Sequence, residues 1–296
     1  MIEVSQLCKR FGETCAVDGV SFRVGEGEAF GLLGPNGAGK TTTILMLVGA
    51  LRPDAGQVAL GGRPDPTRPE VRRIIGVAPQ GLAIYPELSG QENLAFFGRV
   101  YGLSGAKLAA RVDWALEFAG LSERRKDRAG SYSGGMQRRL NLACALVHEP
   151  RVLVCDEPTV GVDPQSRNHI FESLEQLRSE GLTLLYTTHY MEEAQRLCDR
   201  VAIMDHGRVL ALDTVPALIE RHGGTSLVEA ELGELPPPDL DLPGELNERS
   251  LRVSTERPFE VVAQLGRSGV AIERLRVDRP DLERVFLQLT GRRLRD

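Results

Sequence analysis

Three short stretches of this chain carry residues whose types and spacing could do chemistry together. Gly34, Pro35, Asn36, Gly37, Ala38, Gly39, Lys40 and Thr41 match G-x-x-x-x-G-K-[ST], a loop whose backbone N–H groups converge on phosphate oxygens. Lys40 would add positive charge to that cradle, and the Thr41 hydroxyl could ligate Mg²⁺. Asp156 and Glu157 follow the apolar run 152–155. An acid placed there can hold the metal through water while its neighbour activates an attacking water molecule. Acids at strand ends are also ordinary turn or cap residues, so both readings stand at this point. Ser133, Gly134 and Gly135 open a segment in which Met136, Leu140, Ala143 and Val147 recur at helical spacing. The start of that helix offers a hydroxyl, two glycine amides and a positive dipole end, suited to a γ-phosphate. The plainer reading is an N-capped helix and nothing more.

To position such groups the chain needs strands that end in loops. Residues 27–34 form a short apolar run into the glycine-rich loop, and 41–51 is a helix-compatible stretch after it. Leu94, Phe97 and Tyr101, then Val112, Leu116 and Ala119, recur every three to four residues, which predicts a helical subdomain over about 88–150. The apolar runs at 151–158, 182–189 and 200–207 are separated by helix-length segments, the pattern of parallel strands with crossovers. Past about residue 222 the composition shifts, and the proline-rich stretch 234–246 is a poor candidate for any regular element. The expected domains are therefore 1–222 and 223–296. The second reads as a small α+β module with strands at 250–255 and 270–277, helices at 258–269 and 280–291, and no catalytic cluster.

Composition narrows the function classes. With 296 residues, 42% hydrophobic and 26% charged, the chain is long enough for about two domains and unlike disordered, collagenous or coiled-coil sequences. The net charge is −5, from 36 basic and 41 acidic residues, and no run of like charge forms a nucleic-acid-binding tail. Five cysteines, Cys8, Cys15, Cys144, Cys155 and Cys198, lack metal or disulfide spacing and suit a reducing, cytoplasmic setting. Cys155 reads as a small core residue. The N-terminus lacks a signal-peptide layout, and no apolar run approaches the roughly 18 residues of a membrane span. Any membrane role is then expected to go through a partner.

The order of motifs over residues 1 to about 222 resembles that of an ABC-transporter ATP-binding subunit. The resemblance implies an α/β P-loop NTPase cassette with a mixed core sheet, an antiparallel β part and a helical subdomain, using ATP and Mg²⁺. Residues 34–41 would be its Walker A, with Thr42 also on the nucleotide. Residues 133–135 would be the signature, Asp156 the Walker B metal ligand and Glu157 the catalytic base. Gln80 would be the Q-loop glutamine, a ligand of the metal with a part in catalysis. Asp163 would be the aspartate of the D-loop at 158–163, and His189 the switch histidine at the γ-phosphate, where a lone histidine could otherwise be a core residue. Phe11 stands where the family stacks an aromatic on adenine; a packed strand-end aromatic is the other reading. The signature departs from L-S-G-G-Q, with Tyr132 for Leu, Met136 for Gln, and Gln137 one place later.

The same resemblance implies a second ATP-binding subunit, in a homodimer whose signatures seal each other's ATP, and a separate transmembrane permease. Membrane contact would then be indirect, at the cytoplasmic face, with no nucleic acid partner. Tyr85, Phe96, Phe97 and Tyr101, within 79–103, would line the dock for the permease's coupling helix; for Phe97 and Tyr101 a place in the helical core is the equal alternative. The ending 280–292 resembles exporter ATPases of the daunorubicin-resistance type, which points to export. A soluble ABC ATPase acting on nucleic acid or ribosomes would carry two cassettes or a long coiled-coil insertion, and this sequence has neither. A P-loop kinase or GTPase would leave residues 133–135 unexplained, and the guanine-reading N-K-x-D is absent.

Overall fold

The computed structural model describes residues 1–235 and 242–291, which divide into a unit ending at Val215 and a second beginning at Pro216. In the first unit, β1 (Ile2–Phe11) and β2 (Thr14–Val24) form an antiparallel hairpin with Ile2, Val4, Leu7, Val17, Val20 and Phe22 turned inward. That alternation is what a half-buried strand requires. β3 (Ala29–Leu33) is buried at all five residues and does not alternate, the mark of a central strand covered on both faces. It runs into the glycine-rich loop and α1 (Lys40–Leu47), where the helix begins one residue before the expected 41. β4 (Ala55–Leu60) and β5 (Arg63–Pro64) complete an antiparallel sheet in the order β2-β1-β4-β5.

After α2 (Pro69–Arg72) and β6 (Ile75–Ala78) the chain leaves for three helices, α3 (Gly90–Val100), α4 (Gly105–Phe118) and α5 (Gly134–Leu146). A capping box at Ser89 and Glu92 starts α3, and such a cap contributes about 1 kcal/mol. The three helices bury a core of their own, with Leu94, Leu108, Val112, Leu116 and Leu140 at its centre. The chain then returns through β7 (Val152–Asp156), α6 (Pro164–Ser179), β8 (Thr183–Thr188), α7 (Met191–Leu197), β9 (Arg200–Asp205) and β10 (Arg208–Thr214). The second sheet has the order β10-β9-β3-β8-β7-β6 and is parallel except for the β9–β10 hairpin. Its parallel strands all end at one edge, which is where α/β sheets bind ligands.

His148, just past α5, couples this fold to pH. Its ring stacks on Tyr101, 3.5 Å between centroids, and Nε2 lies 3.0 Å from the Ile75 carbonyl, while Nδ1 is buried without a partner. Burial pushes its pKa from 6.5 down to about 4. The unfolded chain therefore binds the extra proton between those values, and stability present above pH 6.5 declines as pH falls towards 4. Thermal melts across that window should show the decline, and a His148→Gln chain should show less of it.

In the second unit α8 (Val215–His222), whose first residue is the last of the first unit, leads to β11 (Ser226–Leu232), β12 (Glu245–Asn247), β13 (Ser250–Thr255), α9 (Pro258–Arg267), β14 (Ile272–Asp278) and α10 (Leu282–Thr290). The sheet order is β12-β13-β11-β14, antiparallel throughout. Val228, Ala230 and Leu232 alternate inward against Leu251, Val253, Val261 and Leu265. Of the proline-rich stretch expected to be irregular, 236–241 lies outside the described residues. Its end is regular, because β13 supplies partners: Glu245 pairs with Arg252 and Leu246 with Leu251.

Candidate functional site

The glycine-rich loop leaves β3 through backbone that only glycine adopts easily. Gly34, Gly37 and Gly39 have φ of 155°, 83° and 99°. A β-carbon at Gly34 would overlap the Met204 carbonyl oxygen, and one at Gly39 the Ala16 oxygen. The loop is thus wedged between β2 and the β9–β10 turn, where the Gly207 amide donates to Ala38 at 3.1 Å. Pro35, Asn36 and Gly37 form its outer rim; Thr41 is exposed and Thr42 half-buried on the first turn of α1. Lys40 is 4% exposed and folds back over the loop, donating to the Gly34 and Pro35 carbonyls at 2.7 and 3.2 Å.

Four groups from the same sheet edge meet there. Lys40 Nζ lies 3.1 Å from Glu157 Oε1. Gln80, after β6, donates to Glu157 Oε2 at 3.3 Å. His189 Nδ1, after β8, is 3.3 Å from the same oxygen without hydrogen-bond geometry. Glu157 is 5% exposed and holds φ at 46°, a left-handed conformation costing a non-glycine residue roughly 1–2 kcal/mol. Its amide offsets that by donating to both the Thr187 hydroxyl, at 3.0 Å, and the Thr187 carbonyl, at 3.2 Å. The same hydroxyl donates to Asp156 Oδ1 at 2.6 Å, so Thr187 orients both acids. Cys155 beside them is fully buried and burial pushes its thiol up, which makes it a core residue and not a nucleophile.

The second glycine cluster forms a separate place. Ser133 caps α5, accepting from the Met136 amide at 3.3 Å, and Ser133 and Gly134 are exposed. Gly135 is buried against Asp163 and Ser166: a β-carbon there would overlap the Ser166 hydroxyl. Asp163 caps α6, and the Ser166 amide holds its carboxyl below the usual range. Met136 packs on the helical core and accepts from Arg124, whereas Gln137 turns inward to the Ala129 carbonyl at 3.1 Å. Tyr132 is buried, its hydroxyl donating to Arg124 O at 2.7 Å. Phe11, at the end of β1, is 52% exposed with Lys9 Nζ 5.8 Å from its ring centre.

Of the aromatics at 79–103, Tyr85, Phe96 and Phe97 form one ring cluster with centroids 4.9–6.2 Å apart, Tyr85 and Phe96 exposed and Phe97 against the helical core. Tyr101 is not part of it, being stacked on His148.

Sequence reasoning passed over Arg138 and Glu193. Arg138, one turn into α5, donates to the Gln80 carbonyl at 2.6 Å and to Val160 O at 3.4 Å, tying that helix to both loops of the site. Glu193 is 5% exposed on α7. Nothing in local spacing separates it from the exposed Glu192 beside it.

Known proteins resemble this chain along its whole length. Residues 17–160 match the ABC transporter family. The linearmycin resistance ATP-binding protein of Bacillus subtilis (strain 168) is 41% identical over 311 residues, covering all of both chains. The Nod factor export ATP-binding protein I of Rhizobium sp. (strain N33) is 44% identical, covering 99% of this chain and 98% of its own. Among solved structures, an ATP-binding subunit of an ABC transporter superposes with a TM-score of 0.69 at 30% identity, over 75% of this chain and 93% of that one. A dimeric bacterial ABC transporter cassette gives 0.67 at 26% identity, over 72% and 98%.

Proposed function

We propose, because this chain belongs to the ABC transporter ATP-binding subunits, that two copies of it close head to tail over two ATP molecules and so drive a separate membrane permease. As a member of that family it binds and hydrolyses ATP. The observation that carries the two-copy reading is the division of its glycine-rich helix starts. The one at Lys40 meets Glu157, Gln80 and His189, while the one at Ser133 opens to solvent beside Asp163. A phosphate bound at Lys40 needs no second anion site from the same subunit, so the exposed start is offered to a neighbour's nucleotide.

In this reading the β- and γ-phosphates replace the Glu157 carboxylate as the partner of Lys40. Glu157, freed from that ion pair, accepts a proton from the attacking water, with His189 beside it at the γ-phosphate. Thr41, Gln80 and Asp156 offer only hydroxyl, amide and carboxylate oxygens, and Thr187 holds Asp156 by one oxygen; that hard donor set suits Mg²⁺. Bound there, the ion would offset the charge on the phosphates. Phe11, exposed at the end of β1, stacks on the adenine.

Full-length likeness to a resistance ATPase and to Nod factor export ATPases supports export as the direction, on the pattern of drug-resistance transporters. Residues 1 to about 222 are the cassette, and the rest is an accessory α+β module without a catalytic cluster. No described helix is long and apolar enough to cross a membrane. In this reading, contact with the bilayer runs through the permease, at its cytoplasmic face. Tyr85 and Phe96, exposed in one ring cluster at α3, are the surface it meets.

Subunit mixing tests the shared sites. Lys40→Ala and Ser133→Arg chains should each be inactive alone. Mixed, they form heterodimers with one intact site, and roughly a quarter of wild-type hydrolysis should return. Mixtures as inactive as their components would sink the head-to-tail arrangement.

A further inference from the structure

Glu193 makes three hydrogen bonds that join parts of the site lying far apart in sequence. Its Oε1 accepts from the Thr159 hydroxyl at 2.7 Å, within the 158–163 turn that ends at Asp163. Its Oε2 accepts from the Thr188 hydroxyl at 2.7 Å and from the Tyr186 hydroxyl at 3.0 Å, both on β8, which delivers His189. Thr188 in turn accepts the Tyr190 amide at 2.9 Å, closing the turn around His189. Thr159 and Thr188 are each 1% exposed and Tyr186 is fully buried. Arg167, four residues after Asp163 on α6, brings its Nε to 4.0 Å from Oε1 without a hydrogen bond and lies over the Tyr190 ring.

A buried carboxylate is costly unless its oxygens are satisfied, and here every donor comes from a segment carrying a site residue. Packing alone would be met by an apolar side chain. Resting on the function proposed above, we infer that Glu193 is a positioning residue that locks the turn bearing Asp163 to the strand end bearing His189. One of these residues faces the neighbouring copy's nucleotide and the other faces its own, so Glu193 makes closure at one site set the switch histidine at the other.

Isosteric variants in the full-length chain, assayed for ATP hydrolysis, test this link. Thr159→Val removes one hydrogen bond and no volume, and should lower kcat about tenfold with KM near wild type, while the lost donor to a buried carboxylate takes a few degrees off the melting midpoint. Thr159→Ser keeps the hydroxyl and should restore kcat; a packing role would instead rank Val above Ser. Thr188→Val should slow turnover similarly. The double variant should be no slower than Thr159→Val alone, because that change already breaks the link that Thr188 and Tyr186 complete from β8. Fully additive losses, or wild-type kcat in Thr159→Val, overturn the inference. Glu157→Gln is measured alongside: if it turns over normally the whole site assignment fails, whereas if it is inactive and Thr159→Val is not, the coupling alone fails.

Discussion

A Glu157→Gln chain should bind ATP at least as tightly as the wild type and hydrolyse it about 10²–10⁴-fold more slowly, the range a positioned general base contributes. The amide keeps the shape of the carboxylate, and the backbone N–H at 157 still donates to Thr187, so the left-handed turn survives. It cannot accept a proton from water. The carboxylate that competes with phosphate for Lys40 at 3.1 Å is gone as well, which is why affinity should rise and not fall. With ATP bound and unspent, the closed pair of subunits should accumulate as a stable dimer in size-exclusion chromatography. Hydrolysis at the wild-type rate would remove Glu157 from the role of base.

Lys40→Ala should do damage even without nucleotide. It leaves Glu157 at 5% exposure with the permanent cation 3.1 Å from its carboxylate removed. Breaking a buried pair from one side costs on the order of 3–5 kcal/mol. Gln80 and His189 remain within 3.3 Å and soften the loss, so about 3 kcal/mol is expected, a fall of roughly 6–12 °C in melting midpoint. The double variant Lys40→Ala, Glu157→Gln should recover most of that loss while remaining unable to hold phosphate. Additive destabilisation in the double variant would mean that the ion pair is not what Lys40 contributes to the nucleotide-free fold. Calorimetry on the four chains decides this.

The glycine-rich loop, the acids after β7 and the start of α5 were legible because each depends on local geometry: a backbone only glycine allows, a buried run ending in charge, a cap before an apolar face. The meeting of Gln80 with Glu157 was not, since it depends on β6 and β7 lying side by side with their ends level. Gln137, one place after the signature position that Met136 fills, faces a different way. One residue along a helix is a turn of about 100°, and it carries that side chain inward to Ala129. Glu192 and Glu193 differ by the same rotation, and it alone decides which is solvated and which is the buried acceptor of three hydroxyls. In the second unit β12 was illegible because its order is borrowed from β13.

The wedging of the loop between Met204, Ala16 and Gly207 has a genetic consequence. Substitutions at Gly34 and Gly39 strike backbone oxygens before they affect any bound phosphate, so they reduce how much protein accumulates in a cell. Thr41, exposed on the same loop's helix, is free of that constraint, and on the proposed role in holding the metal, changes there should leave abundance intact while lowering hydrolysis. A screen for lost transport would score all three positions alike. Only a parallel measure of protein level divides them, and an inert partner that still occupies its place in the transporter is obtained from Thr41 and not from the glycines.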